Sequence, residues 1–277
     1  MEAEITLPDS NPRDFLAEIE NSTRIDADFV DCLDRMEKWF RILEPTVPAP
    51  EKVPYLGQYV FRYRERTLEQ ALILKLARVV SGLHGARLLV NNGFVQEAAA
   101  LQRLLDEFQE DINFLSLARL DDDYTELHQN YLNAFYEEEF DNPADPVASV
   151  QKRSMIPRRK IHAYIARKEA EVGVRERIRG AQLRRTLSKL YSGFVHGAAP
   201  QILDMYGGWP PRFRVSGMRG TPREYRQRED LWNYFYRGVI CFYEVALVLD
   251  RFNVADEAKQ FNQGLQKAAG KDYSKQR

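Results

Sequence analysis

Two long amphipathic segments joined by a very short turn constrain the fold of this chain more than any other feature. Apolar residues recur at three- and four-residue steps through 67–92 and again through 94–119, with Asn-Asn-Gly between them. Thr67 and Gln70 fit a capping box at the start of the first segment, and Gly93 supplies the left-handed residue that ends it. Because the turn is so tight, the two segments are predicted to form an antiparallel helical hairpin.

Similar periodicity predicts helices along most of the chain. The 15 Gly and 13 Pro residues gather in a few places, so long uninterrupted segments dominate. The sequence Thr221-Pro222 with Glu224 gives the clearest start signal, an N-cap followed by a proline at the first helical position. The other predicted helices span roughly 26–43, 124–139, 158–172, 174–196 and 255–268.

Strand signals are weak, and the breaks between helices are rich in Pro or Gly. Four prolines in 44–54 predict a stiff, extended connector, and 207–220 is a long Gly/Pro-rich loop. The predicted fold class is therefore all-α, a multi-helix bundle of long antiparallel helices with one long Gly/Pro-rich loop. Its expected organisation is an N-terminal extension (1–25), a single helical-bundle domain (26–268) and a polar tail (269–277).

Composition narrows the functional class. The net charge of −1 argues against a protein whose entire surface binds nucleic acid or membranes. The two cysteines, Cys32 and Cys241, lie far apart in apolar helical contexts, which indicates buried free thiols in a reducing compartment. The acidic N-terminus has no apolar signal core, and no apolar run is long enough to span a bilayer. We expect a soluble, cytoplasmic protein with no membrane partner and no cofactor.

Charge is unevenly distributed along the chain. Residues 106–145 contain thirteen acidic residues and one basic residue, whereas 152–189 contain thirteen basic and three acidic residues. One interpretation is that the basic segment 152–189 binds nucleic acid. The alternative is that acidic and basic segments pair within the bundle or across a homo-oligomer, which the near-zero total charge favours. The absence of aromatic residues from 175–189 also weakens the nucleic-acid interpretation.

His196 is the first candidate for a functional side chain. It lies one turn after Ser192 on the same helix face, beside Tyr191, and Gly197 ends the helix directly after it. The negative end of the helix dipole favours a protonated imidazole there. A serine in mid-helix has no oxyanion donors, so serine hydrolase chemistry is disfavoured. A structural histidine that bonds across helices is the competing interpretation.

Arg103 and Glu107 are the candidate partners of His196. They are spaced i,i+4 and can pair along one helix. Glu107 and Asp111 share this spacing and repel each other unless a cation lies between them. A two-metal carboxylate site would need Glu-x-x-His steps, which the sequence lacks, so no metal site is predicted. The sequence predicts a buried Arg103–Glu107–His196 polar centre, whose members are also the catalytic candidates.

The loop 207–220 is the second candidate site. Long loops in compact domains often serve as lids or binding loops, and this one begins eleven residues after His196. Trp209 and Arg212 are its candidate binding residues, together with Tyr191, Ser192, Arg184 and Arg185 outside the loop. The loop either folds over His196 or packs Trp209 and Phe213 against the end of the bundle, and the second arrangement is preferred.

Two stretches carry a resemblance to a known family. The sequence "ARLLVNNGFVQEAAALQRLLDEFQEDINFL" (86–115) and the sequence "LRRTLSKLYSGFVHGAA" (183–199) resemble an "eA..L.R.l.E" helix and a "Y..lS…vH" helix end. Both motifs occur in a bacterial all-helical family classed as a domain of unknown function. The resemblance covers about residues 66–206 and brings no established reaction. It singles out Ala98, Arg103, Glu107, Ser192 and His196, with Gly197 where that group often has proline.

A more distant analogy links the chain to HEPN-like helical ribonucleases. Arg78 and His84 match their loose Arg-x4–6-His pattern, but residues spaced i,i+6 point to different faces of a helix. Three functions therefore stay open. The first is a non-enzymatic or regulatory interaction protein, self-associating as a homodimer, with the polar centre in its core. The second is a HEPN-like RNA-binding protein or ribonuclease. The third is a metal-dependent hydrolase that uses Glu107, Asp111 and His196.

Overall fold

The elements of the fold follow the periodicity of the sequence. The computed structural model describes residues 12–150, 154–171 and 191–269. The long helices are α1 (Pro12–Leu43), α2 (Leu68–Asn91), α3 (Val95–Leu120), α4 (Glu126–Tyr136), α5 (Arg158–Glu171), α7 (Pro222–Val248) and α8 (Phe252–Ala268), with a short α6 (Ala199–Leu203). Two antiparallel strand pairs accompany them, β1 (Glu51–Tyr55) with β2 (Gln58–Arg62) and β3 (Tyr206–Gly207) with β4 (Arg212–Phe213). The architecture is an all-α multi-helix bundle, as predicted.

The predicted hairpin of α2 and α3 is confirmed, together with its chemistry. The Thr67 hydroxyl accepts from the Gln70 N–H at 3.2 Å, and the Gln70 side chain accepts from the Thr67 N–H at 3.0 Å. Gly93 has φ +77° at the turn. The reciprocal cap and the left-handed residue therefore define both ends of α2.

Helix α7 lies at the centre of the bundle, in contact with α1, α2, α3 and α8. The rings of Phe29 on α1 and Phe235 on α7 stack at 4.2 Å. At Gly238 the helices come close together: a Cβ there would lie 2.9 Å from Met36 Cε and 3.0 Å from Leu83 Cδ1. The absence of a side chain at Gly238 thus permits the close packing of α1, α2 and α7.

The start of α7 matches its sequence signal except in one detail. Thr221 is the N-cap, and its hydroxyl accepts from the Glu224 N–H at 3.4 Å. The Glu224 carboxylate, however, accepts from the Gly220 N–H at 2.6 Å and pairs with Arg228 at 2.8 Å. With Arg228 bound to it, the Glu224 side chain accepts from the N–H of the residue before the N-cap. The predicted capping box, in which it would accept from the Thr221 N–H, is therefore not formed.

Two local predictions fail. Helix α1 begins at Pro12, fourteen positions before the predicted start at Asp26, so residues 12–25 are helical as well. The last four residues of the predicted connector, 51–54, belong to the first strand of the β1–β2 hairpin, which the sequence analysis did not predict. Its turn places Leu56 at φ 48° and Gly57 at φ 76°, the pair of positive φ values that a tight hairpin turn needs. Leucine is unusual at the first position, which hides the turn in the sequence. The predicted helix 174–196 lies outside the described residues except for 191–196, of which 191–195 are helical.

The Gly/Pro-rich loop is attached to the α2–α3 turn. The Met218 N–H donates to the Gly93 carbonyl at 2.7 Å, and the Met218 side chain is buried. A Cβ on Gly93 would lie 2.6 Å from the Met218 nitrogen and would also meet the Arg219 nitrogen. A Cβ on Gly217 would lie 2.6 Å from the Asn92 carbonyl oxygen. Glycine at both positions therefore allows the backbone of the loop to approach the backbone of the α2–α3 turn.

Gly93→Ala is expected to destabilise the protein by about 3 kcal/mol, from left-handed strain plus a backbone clash with the loop. Gly57→Ala is the matched control, because Gly57 has nearly the same φ and no atom within 4 Å of the place that the added methyl group would occupy. Gly57→Ala should lower the free energy of unfolding by the left-handed strain alone, about 1 kcal/mol. Urea unfolding of both variants measures the difference, and equal losses would show that the loop contact contributes nothing.

Candidate functional site

The predicted pair of Arg103 and Glu107 forms on α3. Arg103 Nη2 lies 2.8 Å from Glu107 Oε1, and both side chains are partly exposed. The i,i+4 spacing is sufficient to produce this contact. The pair lies at the side of α3, outside the buried interior.

His196 is not part of a buried centre with this pair, which corrects the sequence-based expectation. Its side chain is exposed, and no hydrogen bond or ion pair joins it to Arg103 or Glu107. The reason is the path of the chain after the helical residues 191–195. The Gln96 side chain donates to the Gln201 carbonyl at 2.7 Å, which holds this segment beside the first turn of α3. At 1.5 Å per residue, Gln96 lies about 16 Å along the helix from Glu107.

The other candidates near His196 have different surroundings. Tyr191 is buried, with its ring 6.1 Å from that of Tyr234 on α7, and burial raises the pKa of its phenol to about 12. Ser192 is half-buried one turn before His196. Arg184 and Arg185 lie outside the described residues. Tyr191 therefore belongs to the core of the bundle, whereas His196 faces solvent.

The buried charged centre of this protein is elsewhere, between α2, α3 and α5. Lys75 Nζ lies 2.7 Å from Asp111 Oδ2, and both side chains are almost fully buried. Arg158 bridges Asp111 and Glu110 through separate nitrogens. His162 Nε2 lies 2.9 Å from Glu110 Oε2. Two adjacent carboxylates on α3 are thus bound by cations from two other helices.

The electrostatics of this cluster favour an ionised carboxylate at Glu110. Burial raises the pKa of Glu110, but the hydrogen bond with His162 and the charge of Arg158 outweigh it and lower the pKa to about 2. Burial and the Asp111 carboxylate raise the pKa of the Tyr131 phenol. Lys75 Nζ also lies 4.8 Å from the centre of the Phe135 ring. The cluster is a compensated set of buried charged groups that cross-links α2, α3 and α5.

His162 and His128 look in the sequence like ordinary surface or interface residues, and the structure corrects both. The spacing of Arg158 and His162, four residues apart on one face of α5, was the available signal for a pair facing Glu110 and Asp111. His128 is fully buried and stacks on Phe114 at 4.2 Å. Its Nδ1 accepts from the Thr125 N–H at 3.1 Å, and burial lowers its pKa to about 4.

A second buried network joins α3 to α7. Arg237 Nη1 lies 2.6 Å from Asp106 Oδ1, and the Tyr234 hydroxyl donates to Asp106 Oδ2 at 3.2 Å. Burial raises the pKa of Asp106, although Arg237 acts in the opposite direction. The Gln227 amide donates to the Gln102 side chain at 2.5 Å. These bonds fix α3 parallel to α7.

The long loop does not pack its aromatic residues against the bundle, contrary to the preferred sequence interpretation. The Trp209 side chain is 81% exposed at the turn between β3 and β4. Tyr206 and Phe213 are cross-strand partners whose rings meet at 5.0 Å, and both are exposed. Arg212 is also exposed. The loop is attached through Met218 instead, so its aromatic tip extends into solvent.

Within the described residues 154–171, three of the five Lys and Arg residues pair with acidic residues of 106–145, as the alternative interpretation of the charge layout expected for that part of the segment. Besides Arg158, Lys168 lies 2.9 Å and Arg167 lies 2.7 Å from the Asp123 carboxylate. These contacts neutralise much of the described part of the basic segment. The exposed Arg159 and Lys160 have no carboxylate partner among the described residues.

A cleft of about 890 Å³ lies between the β1–β2 hairpin and residues 137–143. Two of its arginines are already paired: Arg62 with Glu138 at 2.9 Å and Arg64 with Glu51 at 2.7 Å. The charges in this cleft are therefore largely used to hold the hairpin in place.

The described parts of the chain hold no group of three or more His, Cys, Asp or Glu side chains placed to bind a metal ion. The metal-hydrolase trio is also not assembled, because Asp111 is bound by Lys75 and Arg158 and His196 lies apart. Arg78 and His84, which match the HEPN-like pattern, do not come together either. His84 bonds Glu37 at 2.6 Å, while Arg78 lies over the ring of Phe108.

In the described helices, no stretch combines the length and apolarity that a bilayer span requires.

Comparisons with known proteins give no match to a family model, a curated protein or a solved structure.

Asp111→Asn is expected to lower the free energy of unfolding by about 3 kcal/mol or more, because Lys75 and Arg158 lose a buried counter-ion. Asp31→Asn is the matched control. Its carboxylate pairs with Arg35 at 3.0 Å in an exposed i,i+4 contact, whose loss should cost less than about 1 kcal/mol. Urea denaturation at pH 7 compares the two, and similar losses would contradict a buried cross-link at Asp111.

Glu244 makes the stability of α7 dependent on pH. Burial raises its pKa from an ordinary 4.5 to about 7, and the hydrogen bond from the Asn113 amide only partly opposes this. Above pH 4.5 the unfolded chain ionises this group while the folded chain keeps it protonated, so stability falls as pH rises to about 7 and then levels off. Glu244→Gln removes this loss.

We therefore expect Glu244→Gln to be more stable than the parent by roughly 2 kcal/mol at pH 8 and equally stable at pH 4. Glu126→Gln, at an exposed glutamate on α4, should change stability little at either pH. Thermal unfolding across this range measures the trend. A constant difference between Glu244→Gln and the parent at all pH values would contradict the assignment.

Proposed function

We propose that this chain is a binding protein in which the helical bundle supports the exposed tip of the loop as its partner-binding surface. The observation that carries the proposal is the 81% exposure of Trp209. A side chain of this size stabilises a fold by being buried, so its exposure on an ordered turn indicates another role. Trp, Tyr and Arg are also the residues that dominate binding hot spots.

Other exposed apolar side chains surround Trp209 in the chain. Within residues 195–215 they are Val195, Ile202, Leu203, Tyr206, Phe213 and Val215. A concentration of exposed apolar side chains of this kind is typical of a binding site. Its support is firm, because the loop is bound to the bundle at Met218, at Gln201 and through the ion pair of Arg223 with Asp204. Such bracing lowers the entropy lost on binding.

The polar groups that the sequence suggests for catalysis support this choice over an enzyme. Asp111 is bound by Lys75 and Arg158, and Arg103 is paired with Glu107. His196 lies at the edge of the proposed surface, not in a closed pocket. The family resemblance, a bacterial origin, a cytoplasmic location and self-association as a homodimer stay predictions within this proposal.

The proposal is tested by placing the photoreactive residue p-benzoylphenylalanine at position 209 in living cells. We expect light-dependent adducts of higher mass, of whatever chemical class. The matched control places the same group at Val147, which is 97% exposed in a different part of the chain. Adducts at neither position, or equally at both, would overturn the proposal.

Trp209→Ala should also leave the free energy of unfolding within about 0.5 kcal/mol of the parent, because the side chain is exposed. A larger loss in urea denaturation would assign Trp209 to the fold and remove the observation on which the proposal stands.

A further inference from the structure

We propose that the loop tip binds single-stranded nucleic acid, with bases stacked on Trp209 and its neighbouring rings and phosphates held by the loop arginines. This inference rests on the proposed function and names the partner of the same surface. It places nucleic-acid binding at the loop and not on the basic segment 152–189.

The charge of the loop tip is the first support. Residues 205–219 contain Arg212, Arg214 and Arg219 and no acidic residue. None of the three guanidinium groups has a carboxylate partner among the described residues, whereas Arg87, Arg158 and Arg237 are all ion-paired. The nearest acidic residue in the chain, Asp204, is paired with Arg223. The local positive charge is therefore uncompensated and available to phosphates.

The arrangement of rings is the second support. Tyr206 and Phe213 lie opposite each other on the β3–β4 ribbon, and Trp209 projects from the connecting turn. Exposed aromatic rings interleaved with arginines are the features that bind single strands, since every base has a face that can stack. Bases inside a duplex are already stacked on one another, so this surface selects unpaired strands.

The turn itself brings a ring and a cation together. Gly208 has φ +85°, and a Cβ there would lie 2.7 Å from Arg214 Nη2. The Arg214 guanidinium thus lies against the backbone next to Trp209, in a space that only glycine leaves open. A nucleotide stacked on Trp209 would have its phosphate within reach of this group.

The protein contains its own reporter for the test. Of its three tryptophans, Trp39 and Trp232 are buried and only Trp209 is exposed. Stacking of a base should quench the fluorescence of Trp209 alone. We expect quenching by the single strands U12 and dT12, and none by a twelve-base-pair duplex. The relative strength of the two single strands shows whether RNA or DNA is preferred.

Anisotropy of a labelled strand then measures affinity in the variants. Trp209→Ala should weaken binding about tenfold or more, and Trp209→Phe, which keeps a ring, much less. With three phosphate contacts, raising salt from 50 to 200 mM should weaken binding about twentyfold. Arg212→Gln with Arg219→Gln should flatten this salt dependence.

Two matched controls locate the site. Arg159→Gln with Lys160→Gln removes two exposed cations from α5, and Tyr59→Ala removes an exposed ring that has Lys52 beside it. Neither should change affinity appreciably. A loss on α5 equal to the loss on the loop, or full binding by Trp209→Ala, would overturn the proposal.

The two proposals fail separately. If position 209 forms adducts with a protein in cells while purified protein binds neither U12 nor dT12 at 50 mM salt, the binding surface stands and the nucleic-acid assignment is wrong. Binding to vesicles of anionic lipid without binding to either strand would likewise replace nucleic acid by a membrane surface.

Discussion

The buried polar side chains of α3 need partners from other helices, and this requirement fixes how the bundle packs. Gln102, Asp106 and Gln109 bond to α7, while Glu110 and Asp111 bond to α5 and α2. An unpaired buried charge or amide costs several kcal/mol. Turning α3 by one residue, about 100°, would separate all of these groups from their partners at once.

Structural features that depend only on residues within one or two helical turns could be predicted from the sequence. The capping box of α2, the glycine that ends it and the proline start of α7 depend on neighbouring residues, so the local sequence reveals them. The β1–β2 hairpin depends on local chemistry too, but Leu56 occupies a turn position where Asn, Asp or Gly is expected. A leucine at this position does not predict a turn, so the hairpin is missed in the sequence.

The site could be predicted much less well, because its contacts join residues far apart in sequence. Arg103 and Glu107 were found since they are four positions apart. Asp111 and Lys75 are 36 positions apart, and Arg158 lies 47 positions from Asp111. Histidine shows the same limit. His196 looks like a site residue because it lies at a helix end near a serine, yet it is exposed. His162 and His128 make their contacts with residues of other helices, which the local sequence does not show.

The net charge of −1 does not show that charge is paired in some parts of the chain and unpaired in others. In the described part of the chain, Arg158, Arg167 and Lys168 of the basic segment pair with Glu110, Asp111 and Asp123 of the acidic segment. Positive charge that has no internal counter-ion persists where the chain supplies no carboxylate, as in residues 205–219. The same loop carries Trp209, whose side chain is exposed. Uncompensated cations and an exposed ring therefore lie together on a loop that the Met218–Gly93 hydrogen bond attaches to the bundle.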